Sequence, residues 1–169
     1  MFTNLLGTVR CLRCDLEQEA RIQTHLFKTG YDNASADYRV GQTEVVDGVD
    51  DFDPLYPWDG ASPLVLAIGD WDCDGCGLSN QWARLTLSTD GAGDEFTARV
   101  EALETFIPWT AEAFAGVHGV EPWLADLARF NIEHPARWAD QTPEQRCEAM
   151  AAGFNAWCVE VAKIAPPPC

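Results

Sequence analysis

The sequence predicts an α+β protein, with an antiparallel β domain over residues 1–104 followed by a helical C-terminal part over residues 105–169. Segments that alternate between apolar and polar residues, separated by turn-forming residues, fill the first part. Past Phe106, alanine becomes frequent and prolines occupy positions where helices would begin. Two Cys-x-x-Cys pairs lie near predicted strand ends in the first part.

Period-two alternation, a continuous apolar run at residues 64–69 and turn signals predict the individual strands. They are expected over residues 19–28, 38–41, 43–46, 64–69 and 81–88, and over 95–101 as the return strand of a hairpin. Residues 95–106 also fit a first helix, and the pattern alone does not decide between the two. The segment 47–63 is dense in acids, glycine and proline, which predicts a long acidic loop.

Prolines mark the expected helix starts, because proline lacks the N–H that has no partner in a first helical turn. They are Pro108, Pro122, Pro135 and Pro143. The last helix shows the clearest pattern, with Thr142 as N-cap and Gln145 completing a capping box. Its apolar stripe includes Cys147 and Cys158, which we interpret as buried small hydrophobic residues. Cys169 is expected to be an exposed thiol.

The cysteine pairs Cys11/Cys14 and Cys73/Cys76 predict a metal site. A tight turn brings both sulfurs of such a pair to one side, so two turns can supply four thiolates in a tetrahedron, which suits zinc. Gly77 follows Cys76 and permits a left-handed backbone, whereas Asp15 occupies the matching position after Cys14 less comfortably. Arg10 and Arg13 are placed to offset the charge of the thiolates.

With these residues the sequence resembles small bacterial zinc-ribbon proteins, in which a Cys-x-x-Cys knuckle leads into a strand like Arg21-Ile22-Gln23-Thr24. The segment Tyr38-Arg39-Val40-Gly41 is also similar to theirs. The resemblance covers about residues 8–104, and the long separation between the pairs and Asp15 depart from the pattern. It implies a zinc-ribbon-like β domain used for contacts with other macromolecules.

One zinc ion held by four sulfurs has no open position for water, so we expect a structural and not a catalytic ion. An iron centre of the rubredoxin type is the main alternative. A redox disulfide fits poorly, because no thioredoxin-like βαβ pattern surrounds either pair.

Net charge and the acidic loop indicate the kind of partner. The chain carries a formal charge of −16, which repels phosphate backbones and attracts basic proteins. Six loop residues form the predicted partner-binding site: Asp50, Asp51, Phe52, Asp53, Tyr56 and Trp58. The aromatic residues could instead pack back over the small β domain, and calcium binding by the loop aspartates, Asp47 included, is a weaker alternative.

The leading hypothesis is a non-enzymatic cytoplasmic protein that binds a basic protein, as an immunity or inhibitor protein binds a toxin. The N-terminus lacks the features of a signal peptide, and no apolar run is long enough to span a membrane. The alternatives are a zinc ribbon associated with transcription or RNA and a hydrolase or redox enzyme. No catalytic motif supports an enzyme, and His25, His118 and His134 are expected in surface or capping roles.

Overall fold

The computed structural model describes residues 3–27, 37–46, 49–91, 95–108, 111–134, 139–142 and 145. Within these ranges the chain forms nine strands and one α-helix. Strands β1 to β9 span Thr3–Arg10, Glu17–Thr24, Asp37–Arg39, Thr43–Val46, Asp53–Pro54, Leu64–Trp71, Gln81–Asp90, Phe96–Phe106 and Gly119–Val120. Helix α1 spans Pro122–Glu133, and two short 3-10 turns cover Val49–Asp51 and Ala111–Phe114.

The strands form two separate sheets. The smaller has the order β2-β1-β3, and the larger has the order β4-β8-β7-β6-β9-β5. Two antiparallel hairpins, β1–β2 and β6–β7, therefore belong to different sheets. The turns of these two hairpins contain the two cysteine pairs.

The main core lies between the two sheets. The inward side chains of the smaller sheet, such as Leu5 and Ile22, pack with those of the larger sheet, such as Leu66 and Leu85, and all four are almost fully buried. The sheets approach closely at Gly7, where a Cβ atom would lie only 2.8 Å from Leu103 Cδ2.

A second core covers the opposite face of the larger sheet. Its centre is a group of aromatic rings, in which Phe114 meets Phe106 edge-on with ring centroids 5.0 Å apart and Trp82 packs against both. Buried residues of α1, such as Leu124 and Ala128, complete this layer. Helix α1 begins with Pro122 at its first position, as the sequence predicted.

A bulge in β8 lets this strand serve both cores. Leu87 pairs with Val100 while the preceding Thr86 pairs with Ala102, so Glu101 is the extra residue. The inward positions change parity at this point, from Ala98 and Val100 to Leu103. A bulge of one residue shifts the alternation in this way.

The structure confirms the α+β class, since the described residues are mostly β-sheet with one helix near the C-terminal end. Residues 96–106 form a strand, which decides between the hairpin and helix interpretations in favour of the hairpin. The predicted boundary between residues 104 and 105 stays a prediction. β8 continues through Phe106, and β9 joins the larger sheet beside β6.

The predicted final helix, with Cys147 and Cys158, lies outside the described residues, as does Cys169. Its predicted capping box is present: Gln145 N–H donates to Thr142 Oγ1, and Thr142 N–H donates to Gln145 Oε1. None of the helices in the described ranges is long and apolar enough to cross a membrane.

Candidate metal centre

The four predicted metal ligands lie together at the turns of two hairpins. Cys11 and Cys14 belong to the turn between β1 and β2, and Cys73 and Cys76 belong to the turn between β6 and β7. Their sulfur atoms all lie within 4.8 Å of one another. The four cysteines could therefore hold one metal ion.

The two turns, which we call the first knuckle (residues 11–16) and the second knuckle (residues 73–78), have the same backbone hydrogen bonds. In each, the N–H of the first cysteine donates to the carbonyl five residues later, over 2.9 Å in both cases. In each, the carbonyl of that cysteine accepts from the N–H four residues later, at 3.1 Å for Asp15 and 2.8 Å for Gly77. The two turns are therefore equivalent.

The residue after each second cysteine has a left-handed backbone. φ is 56° at Asp15 and 68° at Gly77. Glycine adopts this conformation without strain, and aspartate is among the few other residues that tolerate it. The predicted equivalence of these two positions is confirmed, including the less favourable residue at Asp15.

The sulfur distances match a tetrahedral ion. Cys11 Sγ lies 3.6 Å from Cys76 Sγ, and Cys14 Sγ lies 3.5 Å from Cys73 Sγ. A Zn–S bond of about 2.3 Å in a tetrahedron places neighbouring sulfurs about 3.8 Å apart. The first cysteine of each pair is buried, whereas Cys14 is exposed and Cys76 is half-buried.

The thiols influence one another's protonation. Burial raises the pKa of the Cys11 thiol, but hydrogen bonds from the backbone amides of Cys14 and Arg13 outweigh it and lower that pKa to about 7. A backbone hydrogen bond from Leu16 favours the Cys14 thiolate. Burial and the other three thiols nevertheless raise the pKa of Cys14 to about 12. Four adjacent thiols cannot all ionise without a cation among them, because neighbouring thiolates repel one another.

Two glutamines, which the sequence analysis did not single out, tie the knuckles to each other. Gln81 Oε1 accepts from the N–H of Leu12 in the first knuckle at 2.9 Å. Gln18 Oε1 accepts from the N–H of Asp74, the equivalent position in the second knuckle, also at 2.9 Å. Gln81 is almost fully buried. Each hairpin thus fixes the turn of the other.

The arginines of the described residues are mostly paired with carboxylates. Arg10 binds Glu17 at 2.6 Å beside the first knuckle, and Arg21 and Arg39 bind acids on the outer face of the smaller sheet. A basic face formed by Arg10, Arg13, Arg21, Lys28, Arg39 and Arg84 would favour nucleic-acid binding. Three of these six arginines and lysines are already neutralised, and Lys28 lies outside the described residues.

The predicted partner-binding residues divide into packed and surface positions. Phe52 is buried, and the ring of Trp58 packs on Phe96 with centroids 5.2 Å apart. The carboxylate of Asp53 pairs with Arg129. Asp50, Asp51 and Tyr56 remain at the surface. The interpretation that the aromatics pack back therefore holds for Phe52 and Trp58, and partner binding by the loop stays a prediction.

The three histidines have different surroundings. His118 Nδ1 accepts from the N–H of Val65, and His134 is the C-cap residue of α1, with its ring against Phe130. The expected capping position is thus found for His134, whereas His118 binds the backbone of β6. His25 follows β2 and lines a cavity.

That cavity, which we call the Glu121 cavity, has a volume of about 450 Å³. Its walls come from β2, β6, the first 3-10 turn and the start of α1. They are formed by Gln23, His25, Asp51, Phe52, Gly69, Asp70, Glu121, Pro122 and Trp123. Sequence reasoning did not identify it, because these residues come from four separate segments with no common spacing.

Glu121 is the most unusual side chain of this cavity. It is only 5% exposed, and its Oε2 accepts from Trp123 Nε1 at 2.9 Å and from the N–H of Gly69 at 3.4 Å. Burial raises the pKa of the Glu121 carboxyl to about 7, and burial also raises the pKa of Asp70. Perturbed acids in a cleft are typical of functional sites.

Comparisons with protein-family models, curated proteins and solved structures found no match to this chain. The resemblance to zinc-ribbon proteins therefore depends on the two knuckles themselves.

Proposed function

We propose that this chain is a non-enzymatic protein in which a structural zinc ion, held by Cys11, Cys14, Cys73 and Cys76, stabilises an acidic surface that binds a basic protein. An immunity or inhibitor protein that neutralises a basic toxin is the clearest example of such a role. The observation that carries the proposal is the meeting of two equivalent knuckles around four convergent sulfurs.

Two features of the site support zinc: the four sulfur donors and the absence of any need for a further ligand. Four thiolates at tetrahedral spacing suit a borderline-soft ion without redox chemistry. No fifth donor or open position is needed, so the ion contributes to folding and not to hydrolysis. The ion would join two hairpins that belong to different sheets, which is a structural role.

Metal analysis tests this part. Protein purified without added metal should contain close to one zinc per chain, and Cys73→Ser should lower its thermal stability severely. Cys147→Ser, in a cysteine outside the knuckles, is the matched control and should keep its zinc. A coloured protein with one iron per chain would instead support the rubredoxin-type alternative, and metal-free protein of unchanged stability would contradict both.

The acidic surface supports a basic partner. The described residues include 21 acids against seven arginines, and five of those arginines are already paired with carboxylates. The surplus negative charge has no cationic partner within the described residues. Around the acidic loop, Asp50, Tyr56 and Trp58 also border a cavity of about 300 Å³ that could receive a partner side chain.

A pull-down from the native host tests this second part. Zinc-loaded protein should retain a basic protein, with affinity that falls as salt rises. Asp50→Asn with Tyr56→Ala should weaken retention, whereas Asp126→Asn, which also removes one charge at a 96% exposed side chain, should not. Binding that is indifferent to salt would refute the electrostatic basis.

An enzyme is the second candidate function, and the Glu121 cavity is the observation that favours it. A carboxyl with a pKa of about 7 is suited to general acid–base catalysis near neutral pH. Chromogenic esters, phosphate esters and glycosides would test for hydrolysis. Turnover that Glu121→Gln abolishes and Asp126→Asn preserves would replace the proposed binding role by an enzymatic one.

A further inference from the structure

We propose that the Glu121 cavity is a binding site for an organic cation, with an ammonium or guanidinium group directed at Glu121 and Asp70. The inference goes beyond the proposed function and does not depend on it. A free amine or a lysine or arginine side chain of a protein would present the same chemistry.

Charge is the first argument. Three carboxyl side chains, Asp51, Asp70 and Glu121, line one cavity, and no arginine or lysine of the described residues lines it with them. Glu121 makes no ion pair within the described part of the chain, although it is almost fully buried. A buried carboxylate is costly unless a cation or several donors compensate it. Trp123 and Gly69 already donate hydrogen bonds to Glu121, and a bound cation would add the opposite charge that these neutral donors do not supply.

Aromatic walls are the second argument. Phe52 and Trp123 line the same cavity, and the Trp123 side chain is close to half exposed. The absence of a side chain at Gly69 lets this indole lie over the backbone, since a Cβ atom there would be 2.8 Å from Trp123 Cη2. Tryptophan faces attract ammonium and guanidinium groups, and more strongly at sites shielded from water.

Size and shape are the third argument. Cavities of about 300–1,000 Å³ accommodate small ligands or single large side chains, and this one has about 450 Å³. Gln23 and His25 form its polar wall on the side of β2. The buried carboxyl of Glu121 and the rings of Phe52 and Trp123 favour a ligand that is apolar along its length and cationic at its end.

NMR titration of the zinc-loaded full chain tests the inference. The indole N–H signal of Trp123, identified by its loss in Trp123→Phe, reports on the cavity because this N–H donates to Glu121. At about pH 8, where an ordinary imidazole is neutral, n-butylammonium and n-butylguanidinium should shift this signal to saturation. The neutral alcohol n-butanol, which matches n-butylammonium in size, and the anion butyrate should leave it unchanged.

Substitutions then identify which carboxylates bind the cation. Asp70→Asn and Glu121→Gln should each weaken binding of the cations by about ten- to a hundredfold, the range expected for hydrogen bonds to charged groups. Asp126→Asn, on the same helix with a 96% exposed side chain, should bind as the parent does. For Glu121→Gln, the indole signal of the free variant must first be shown to retain its dispersion, and Asp70→Asn provides the independent test.

Two further probes distinguish the source of the cation. A blocked Gly-Lys-Gly peptide that binds more tightly than n-butylammonium would indicate a protein side chain, and the reverse order would indicate a free amine. Either result supports the site. Equal shifts with n-butanol, or affinities unchanged in Asp70→Asn and Glu121→Gln, would overturn it, and neither outcome would bear on whether a basic protein binds elsewhere on the surface.

Discussion

Replacing Glu121 by glutamine should stabilise the protein in a pH-dependent manner. The ordinary pKa of 4.5 rises to about 7 in the folded state, chiefly because the carboxyl is buried. That difference corresponds to about 3 kcal/mol of unfolding free energy. Glutamine has the same shape and its carbonyl can still accept from Trp123 Nε1, but it never becomes charged.

The direction of the pH dependence follows from whether the folded or the unfolded state binds the proton of Glu121 more tightly. Below about pH 4.5 both states carry it, so this group adds no pH dependence. Between about pH 4.5 and 7 the unfolded chain ionises while folded Glu121 stays protonated, and the stability it contributes is lost as pH rises. Above about pH 7 the folded carboxylate is also ionised, and the full penalty remains.

Urea unfolding of zinc-loaded protein at several pH values between about 5 and 8 measures this effect. The free energy of unfolding of Glu121→Gln should exceed that of the parent by a margin that grows with pH and reaches about 3 kcal/mol. The pH dependence of metal binding is common to both proteins and cancels in the difference. Asp126→Asn, at a 96% exposed side chain on the same helix, should show only a small difference. A flat difference for Glu121→Gln, or a less stable variant near pH 8, would refute the assignment of Glu121 as a buried acid.

Four more substitutions test the fold and the knuckles. Gly77→Asp should lower the free energy of unfolding by about 1 kcal/mol, and Asp15→Gly should raise it by a few tenths of a kcal/mol, because both positions have positive φ. Urea unfolding measures both changes, with Asp15→Asn as the control for charge. Gly7→Ala should lower the free energy of unfolding by about 1–3 kcal/mol, because the added methyl group would displace Leu103. An unchanged melting temperature would contradict the close approach of the sheets. Gln81→Met should lower the free energy of unfolding by about 1–3 kcal/mol, since the half-buried N–H of Leu12 in the first knuckle loses its acceptor. Faster zinc loss to a chelator should accompany it.

Local patterns were sufficient for most strands and for the metal ligands. Alternation between turn signals predicted the β7–β8 hairpin, and a continuous apolar run predicted β6, which is buried on both faces. The cysteine spacing predicted both knuckles, since the turn that converges two sulfurs is itself local. Pro122 correctly marked the start of α1 for the same reason.

The features that were missed depend on contacts between distant segments. β1 begins with Thr3 and Asn4, polar residues that are nevertheless buried, with Asn4 Nδ2 donating to Asp37 at 2.9 Å. No local pattern distinguishes them from a polar terminus. The cavity likewise brings His25, Asp70 and Glu121 together from three parts of the chain. Their chemistry becomes apparent only once the sheets are packed.

The metal centre and the Glu121 cavity share the two strands that connect them. β2 leaves the first knuckle and ends beside Gln23 and His25 of the cavity wall, and β6 carries Gly69 and Asp70 shortly before Cys73. A metal ion enclosed by the four cysteines would fix both knuckles. It would therefore also fix two walls of the cavity, although none of the cavity residues belongs to the cysteine cluster. A loss of cation binding on removal of zinc would consequently be evidence for this shared framework, and not for contact between the ion and the bound cation.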